Sequence, residues 1–247
     1  MKKTFYIYLT LAALLFNHTA CFSINQRDEE ERETVRKEFT LSIFHAIETE
    51  IIGNIEIMQA SSISVVAEGD DDLVENLIIK VEDQTLKVEF KDGKKYQQWK
   101  GRRSPKLTIF VAMPELTKIE SEGVGNISMK GEITVDELTI QSEGVGNITA
   151  ENLTANHIDV TSEGVGNTVL KGTTQSATLR SEGVGNIRAE KLQAQHVKVR
   201  SEGVGNVSCY ATESADIRSD GIGNVSYYGN PKDTKLNKNG LGKIRAK

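Results

Sequence analysis

The sequence predicts an all-β fold: a parallel β-helix (β-solenoid) of about seven coils with a period near 20 residues, preceded by a β-rich N-terminal portion. The first observation behind this prediction is a repeat. The hexapeptide SEGVGN occurs five times and is followed by SDGIGN and by a shortened NGLGK at 239–243. Successive copies begin 18 to 21 residues apart, and a fixed period of this size is typical of repeat architectures. The copies begin at Ser121, Ser142, Ser162, Ser181, Ser201 and Ser219.

The second observation is the alternation of apolar and polar side chains on both sides of the repeat. Two residues before each serine the chain carries Ile, Val or Leu, from Ile119 to Ile217. After the asparagine a second apolar pair follows at alternate positions, such as Ile127 and Met129. Alternation with a period of two is typical of a strand with one buried face. Each unit is therefore predicted as strand, corner, strand. A leucine-rich repeat has a similar length but needs a denser leucine lattice than these units contain.

The composition agrees with this architecture. The chain has 247 residues, of which 38% are hydrophobic, so it is able to bury a core. It contains 21 Gly, 3 Pro and only 6% aromatic residues. These numbers favour small aliphatic core side chains and many tight turns over a helical bundle.

The glycines and the asparagine of the repeat are predicted to form the corner of each coil. Glycine permits backbone angles that a side chain would obstruct. Asparagines at one position of successive coils lie about 4.8 Å apart, so their amides are able to hydrogen-bond along the axis as a ladder. The predicted corner glycines are Gly123, Gly125, Gly144 and Gly146. The predicted ladder consists of Asn126, Asn147, Asn167, Asn186, Asn206 and Asn224.

A line of carboxylates is predicted on the outer face beside this corner. It contains Glu122, Glu143, Glu163, Glu182, Glu202 and Asp220. In the last three units an arginine at the neighbouring outward position (Arg180, Arg200 or Arg218) is placed to neutralise the line. The first three units lack such a partner, so Glu122, Glu143 and Glu163 form either a solvated edge or a groove for a cation or ligand. The pattern is not that of the calcium-binding solenoid repeat, and no metal site is predicted.

The N-terminus is predicted to be an export signal followed by a tether. Residues 1–20 combine a positive start with a short apolar core, as in a signal peptide, and no other stretch has spanning length. The sequence HTAC resembles the lipobox of bacterial lipoproteins, which predicts lipidation at Cys21; cleavage by the ordinary signal peptidase is the alternative. Residues 21–38 are predicted as an acidic tether, which resembles a short surface-export signal. The other cysteine, Cys209, is predicted to be a buried structural thiol.

Residues 39–119 lack the hexapeptide but alternate as strands. Within them, residues 91–106 form a basic loop that contains Tyr96 and Trp99. This combination suits a glycan, a nucleic acid or an anionic head group, although a solvated hairpin loop is the simpler interpretation. Nucleic-acid binding is not expected of the whole chain, because the net charge is −5.

Several stretches of the sequence resemble a known protein family. The stretches IIGNIEIMQ and SISVVAEGDDDLVENLIIKVEDQTLKVEF, the junction MPELTKIESEGVGN and the repeated corner resemble the putative auto-transporter adhesin family with the head GIN domain. The likeness runs from Phe39 to Arg245, so residues 39–245 are expected to be one continuous domain and 120–247 its solenoid part. The resemblance implies a right-handed β-helix, a secreted or lipid-anchored location and an adhesive role. It implies no catalytic residues and no cofactor.

Three functions remain open at this stage. The first is a surface adhesin that presents repeated side chains to a glycan or a protein, anchored as an outer-membrane lipoprotein and possessing no catalytic residues; a periplasmic or secreted soluble protein is the alternative location. The second is a pectinase-like enzyme acting on polysaccharides, which needs clustered carboxylates. His157 and His196 share a column, but they lie two coils apart, too far to share one metal. The third is a structural envelope protein without a specific ligand. The oligomeric state does not follow from the sequence.

Overall fold

Parallel strands stacked along one axis form most of the protein. The computed structural model describes residues 33–91 and 106–247, and in these residues sixteen strands form one sheet system. The strands are β1 (Thr34–Phe39), β2 (Ala46–Thr49), β3 (Asn54–Gln59), β4 (Ser64–Asp70), β5 (Leu77–Glu82), β6 (Thr85–Phe90), β7 (Leu107–Met113), β8 (Lys118–Ser121), β9 (Ile127–Ser142), β10 (Ile148–Ser162), β11 (Val165–Ser181), β12 (Val184–Ser201), β13 (Val207–Ser219), β14 (Val225–Tyr228), β15 (Asp233–Lys238) and β16 (Ile244–Ala246). A five-residue helix, α1 (Asp71–Glu75), follows β4.

The long strands β9 to β13 stack in register as the coils of a solenoid. Residues at equivalent positions of the repeat pair directly, for example Ile127 with Ile148 and Ile148 with Thr168. The solenoid has about six turns and a period of about 20 residues, which confirms the predicted fold class. Because every coil pairs with the one beneath it, each position of the repeat becomes a column that runs along the axis.

The core is a stack of the aliphatic positions that the alternation predicts. The residues two before each serine are fully buried, from Ile119 through Val160 and Leu179 to Ile217, each 0% exposed. Full burial of such a side chain contributes about 1.5–3 kcal/mol relative to leaving it in water. Cys209 lies in this core at 1% exposure, and burial raises the pKa of its thiol to about 12. A thiol in this environment packs as a small apolar side chain.

The N-terminal end of the solenoid is covered by the residues that precede the repeat. The first coil consists of β2 and β3; β6 pairs with β2 and β7 pairs with β3, both in parallel. Antiparallel strands then extend this cover, because β5 pairs with β6, β4 with β7 and β1 with β4. Exposed strand edges invite pairing with other chains, and among the described strands β1 and β5 are the two edges at that end.

Strand β1 begins inside the segment that the sequence assigns to the tether. Thr34–Phe39 pairs along its whole length with β4, so the ordered sheet starts five residues before the predicted boundary at 39. The reason is the pairing itself. Lys37 and Glu38 look like tether residues in the sequence, but their backbone groups complete the edge of β4 while their side chains stay exposed.

Several predictions concern residues outside the described ranges. These are the signal peptide at 1–20, lipidation at Cys21, the tether up to residue 32, and the contacts of Tyr96 and Trp99 in the basic loop. Within residues 33–91 and 106–247, no helix has the length and apolar character needed to cross a bilayer.

Candidate functional site

The repeated corner places three side chains of every coil on the outside. Glu143, Val145 and Asn147 are exposed, and the glycines between them face the backbone of the preceding coil. A Cβ added to Gly144 would lie 2.1 Å from the carbonyl oxygen of Gly123, closer than two atoms can approach. The corner is therefore closely packed along the axis, and its glutamate, valine and asparagine form three parallel columns.

The middle column is an exposed aliphatic ridge that the sequence reasoning did not single out. Parallel bridges join its members from one end of the solenoid to the other. Val145 is 50% exposed and Ile222 54%. The ridge separates the carboxylates on one side from the asparagines on the other. The column begins at Ile52, which is buried, and its exposed members are Val124, Val145, Val165, Val184, Val204, Ile222 and Leu241.

The asparagine column forms a continuous ladder of hydrogen bonds. The Nδ2 of Asn147 donates to Oδ1 of Asn126 at 2.9 Å, and the Nδ2 of Asn167 donates to Oδ1 of Asn147 at 2.9 Å. The backbone N–H of Asn147 donates to the same Oδ1 of Asn126 at 3.0 Å. The ladder starts at Asn54 in the first coil, whose Oδ1 accepts from Nδ2 of Asn126 at 3.2 Å. Each of these oxygens thus accepts two N–H groups, while Nδ2 of Asn126, Asn147 and Asn167 each donates one of its two hydrogens to a described residue.

A groove runs along the outer side of this ladder. Its volume is about 490 Å³, which lies within the range of ligand-binding clefts. One wall is formed by the ladder asparagines and the other by the outward residues two positions after each asparagine, since Ser128 pairs with Thr149 and Val169 with Arg188 along the sheet. The lining residues are Asn54, Ile55, Glu56, Thr108, Asn126, Ser128, Asn147, Thr149, Asn167, Val169 and Arg188.

The sequence analysis assigned the asparagines to structure and missed this groove. Ser128, Thr149 and Arg188 differ in chemistry, so no repeated letter marks their column. The signal that would have identified it is positional: outward residues that follow an exposed asparagine ladder must form its neighbouring wall.

The carboxylates stack as a column on the other side of the ridge. The backbone N–H groups of Glu143 and Glu163 occupy equivalent positions, each donating to the serine carbonyl of the preceding coil at 2.8 Å. Partial burial, together with the nearby carboxylates of Glu50 and Glu143, raises the pKa of Glu122 above its ordinary value. At this end of the column, burial and the neighbouring carboxylates both disfavour the charged form of Glu122.

The arginines neutralise this column less than the sequence suggests. Only Arg218 binds a carboxylate of the column, through Nε to Asp220 at 2.5 Å. Arg180 instead bonds Asp159 at 2.6 Å, and Arg200 bonds Asp216 at 3.2 Å. The strand-borne aspartates of the adjacent coils take these two guanidinium groups. Glu182 and Glu202 make no ion pair with the described residues.

Replacing Glu122 with Gln is expected to stabilise the protein slightly at neutral pH. Because folding raises the pKa of this carboxyl, the folded state binds more protons than the unfolded state, and stability falls as the pH rises through the folded-state pKa. The substitution removes this loss of stability at neutral pH. Because the Glu122 side chain is exposed, the free energy of unfolding rises by a few tenths of a kcal/mol at most, roughly the value of a surface charge interaction. Urea unfolding at neutral pH and at about pH 3 checks it, because the gain should vanish once the carboxyl is protonated in both states. A gain of equal size at both pH values would contradict charge repulsion as the cause.

The histidines lie where the spacing predicts and are bonded to serines. His157 and His196 occupy one column, with Ser176 between them. Nδ1 of His157 lies 2.8 Å from Oγ of Ser176, and Nδ1 of His196 lies 2.9 Å from Oγ of Ser214. In residues 33–91 and 106–247, no cluster of three or more His, Cys, Asp or Glu is placed to hold a metal ion.

The chain resembles a family of putative adhesins in sequence and in structure. The family model described as putative auto-transporter adhesin, head GIN domain, matches residues 43–231. Among curated proteins none matches the chain. The crystal structure of a putative adhesin from Bacteroides fragilis is 34% identical, covers 87% of this chain and 97% of its own, and superposes with a TM-score of 0.82.

Two further crystal structures, both from Parabacteroides distasonis, share the fold at lower identity. A putative adhesin is 19% identical, covers 87% of this chain and 98% of its own, and has a TM-score of 0.64. A putative lipid binding protein is 20% identical, covers 86% of this chain and 97% of its own, and has a TM-score of 0.57. At these identities the likeness concerns the fold alone.

Proposed function

The chain belongs to the putative auto-transporter adhesin family with the head GIN domain, and from this premise we propose that it is a non-catalytic adhesin of the cell envelope that holds a linear glycan or protein segment in the groove beside the asparagine ladder. Family membership indicates a cell-envelope or exported protein. The export signal at 1–20 and the lipobox-like HTAC motif support the finer proposal of an outer-membrane lipoprotein anchored through Cys21.

The observation that carries this proposal is the groove itself. It extends along the solenoid axis across the coils of Glu56, Ser128, Thr149, Val169 and Arg188, a distance of about 19 Å for four steps of one strand spacing. A cleft of this length fits an extended polymer better than a compact metabolite. Its floor consists of paired strands, so the binding surface is preformed and a ligand need not order it.

The distribution of titratable groups supports binding without chemistry. Glycoside hydrolysis needs two carboxyl groups facing one bond. Among the described residues Glu56 is the one carboxylate that lines the groove, and it stands at one end. The two histidine–serine pairs lie on the strands before the corner, outside the groove. Neither histidine bonds a carboxylate among the described residues. We therefore expect a bound polysaccharide to be retained without being shortened.

Thr149→Trp is expected to weaken binding at least about tenfold, a loss of about 1.4 kcal/mol, because the indole fills the middle of the groove. The matched control is Thr178→Trp, which places the same bulk on an outward position outside the groove. The assay presents the purified full chain to arrays of glycans and extracellular-matrix proteins, with and without calcium, and then measures affinity for each ligand retained. Chain length of any retained polysaccharide is measured in parallel.

Equal affinity of the two tryptophan variants would overturn the groove as the binding site. Deletion of residues 94–103 in the same assay tests Tyr96 and Trp99 separately, because undiminished binding would rule out the basic loop as the contact. If no ligand is retained, the structural envelope function replaces the adhesin proposal. Shortened polysaccharide would favour the pectinase-like alternative.

A further inference from the structure

The hydrogen-bonding capacity left free in the groove consists mainly of donors. The Oδ1 atoms of Asn54, Asn126 and Asn147 each accept two N–H groups from the following coil. The second N–H of each ladder Nδ2 has no partner among the described residues. An amide with a saturated oxygen and a free N–H offers a ligand a donor and no acceptor. Oδ1 of Asn167 accepts one N–H among the described residues, from Nδ2 of Asn186 at 2.8 Å, and keeps one acceptor position. The ladder wall thus presents a row of donors about 4.8 Å apart and this one remaining acceptor.

Arg188 adds a cation to this row at one end of the groove. Its guanidinium is exposed, and it makes no ion pair or hydrogen bond with another described residue. Its neighbours along the column are Val169 and Ser208, neither of which carries a charge. Guanidinium groups bind carboxylate and sulfate oxygens through paired N–H donors, which strengthens and orients the contact.

Acceptors on the opposite wall are few or already engaged. Oγ of Ser128 accepts from the hydroxyl of Thr149 at 3.2 Å. Glu56 is the carboxylate of the groove; it lies about 19 Å from Arg188 along the axis and is paired with Lys130 at 3.7 Å. A ligand that lies between Thr149 and Arg188 therefore meets the amide donors of the ladder and one cation that has no ion pair among the described residues, beside the acceptor oxygens of Thr149 and Asn167.

The carboxylate column limits where an anionic ligand lies. Glu122, Glu143 and Glu163 stand on the far side of the aliphatic ridge and repel negative charge from that face. The ladder side of the ridge carries amides and Arg188, together with the carboxylates of Glu56, which is paired with Lys130, and of Glu190, which accepts from the hydroxyl of Ser208. The carboxylate column excludes an anionic chain from the opposite flank of the corner, and Arg188 is the cation that attracts it to the groove.

We propose that the groove takes an acidic polysaccharide, a linear glycan that bears carboxylate or sulfate groups, with one anionic group bound by Arg188 and others accepting from the free Nδ2 hydrogens of the ladder. This inference rests on the proposed function and adds the chemical class of the ligand. Because the donors are spread over several coils, an oligomer binds and a single acidic sugar does not bind measurably. Free inorganic sulfate meets Arg188 alone and competes only weakly.

The test compares polygalacturonate with the same polymer after full methyl esterification, using the purified full chain in calcium-free buffer. Isothermal titration is expected to show binding of the acid and at least about tenfold weaker binding of the neutral ester. Arg188→Gln is expected to lose about tenfold for the acid. Lys198→Gln is the matched control, because it removes an exposed positive charge from the same coil outside the groove. Its affinity should stay within about twofold, since exposed charges at this distance are screened.

The outcomes of this test distinguish a wrong ligand class from a wrong binding site. Equal affinity for acid and ester, or equal losses in Arg188→Gln and Lys198→Gln, overturns the acidic class while leaving the groove as a site for neutral ligands. If neither polygalacturonate, nor its methyl ester, nor the sulfated polymer dextran sulfate binds, the acidic ligand class is also overturned. The tryptophan variants then still test the groove with other ligands. If inorganic sulfate or galacturonic acid competed for the groove as strongly as the polymer, the groove would bind single anions and not an extended chain. That result would contradict the proposal.

Discussion

Gly185→Ala is expected to destabilise the solenoid by more than about 4 kcal/mol, a loss seen only for severe structural conflicts. Gly185 has φ +150° and its added Cβ would lie 1.6 Å from the carbonyl oxygen of Gly166 in the preceding coil. Relief requires the two coils to move apart, which breaks the bond from the N–H of Val184 to the carbonyl of Gly164 and the corner bonds beside it. Thermal and urea unfolding, followed by circular dichroism, measure the loss, and a variant that fails to fold meets the prediction.

Gly131→Ala is the control for this experiment. Gly131 also has a positive φ, +73°, but an added Cβ meets nothing within 4 Å. This substitution carries the backbone cost alone, about 1–2 kcal/mol. If the two alanine variants lost the same stability, the close approach of successive coils would not be what requires glycine at the corner.

The corner explains why the fold was predictable. Every coil must place a glycine over a carbonyl group of the preceding coil. The chain therefore repeats the same residues at nearly the same spacing, and this period is visible in the sequence alone. The same corner recurs in part in the sequence IIGN of the first coil, and the ladder begins there, at Asn54. The core followed for the same reason, from the alternation around the corner.

The N-terminal cover was harder to predict, because its strands obey no repeat. β6 and β7 lie beside β2 and β3 although they follow them by some 40 and 50 residues, and nothing in their letters specifies these partners. β1 pairs with β4 through backbone groups, which are the same in any sequence. The alternation therefore revealed strands in this region but left their order undetermined.

The candidate site was predicted in part, for a related reason. The carboxylate and asparagine columns consist of identical residues and were visible as columns. The groove wall beside the ladder consists of Glu, Ser, Thr, Val and Arg. These residues occupy the same position of successive coils but differ in residue type, so no sequence repeat marks them. The partner of Arg180 was likewise set by the distance to Asp159 in the adjacent coil, which the sequence alone does not measure.

Asn147→Ala is expected to destabilise the protein by about 1 kcal/mol, because it interrupts the ladder in its middle. The substitution removes the bond from Nδ2 of Asn147 to Asn126, and it leaves the backbone N–H and the Nδ2 of Asn167 without their shared acceptor. Since these groups are exposed, water replaces part of the lost bonding, and the loss stays near the net value of about 0.5–1.5 kcal/mol for a hydrogen bond. Urea unfolding gives the change in free energy.

Asn152→Ala is the matched control for the ladder, since Asn152 lies on the same coil but is exposed and makes no side-chain hydrogen bond with a described residue. Its loss should stay within about 0.5 kcal/mol. The interrupted ladder should also weaken polymer binding in the groove, because Asn147 supplies one of the donors and holds Asn167 in place. If Asn147→Ala were as stable as the control yet bound less polymer, the ladder would serve the ligand and not the fold. If it unfolded more easily but bound the polymer unchanged, the free Nδ2 hydrogens would play no part in recognition.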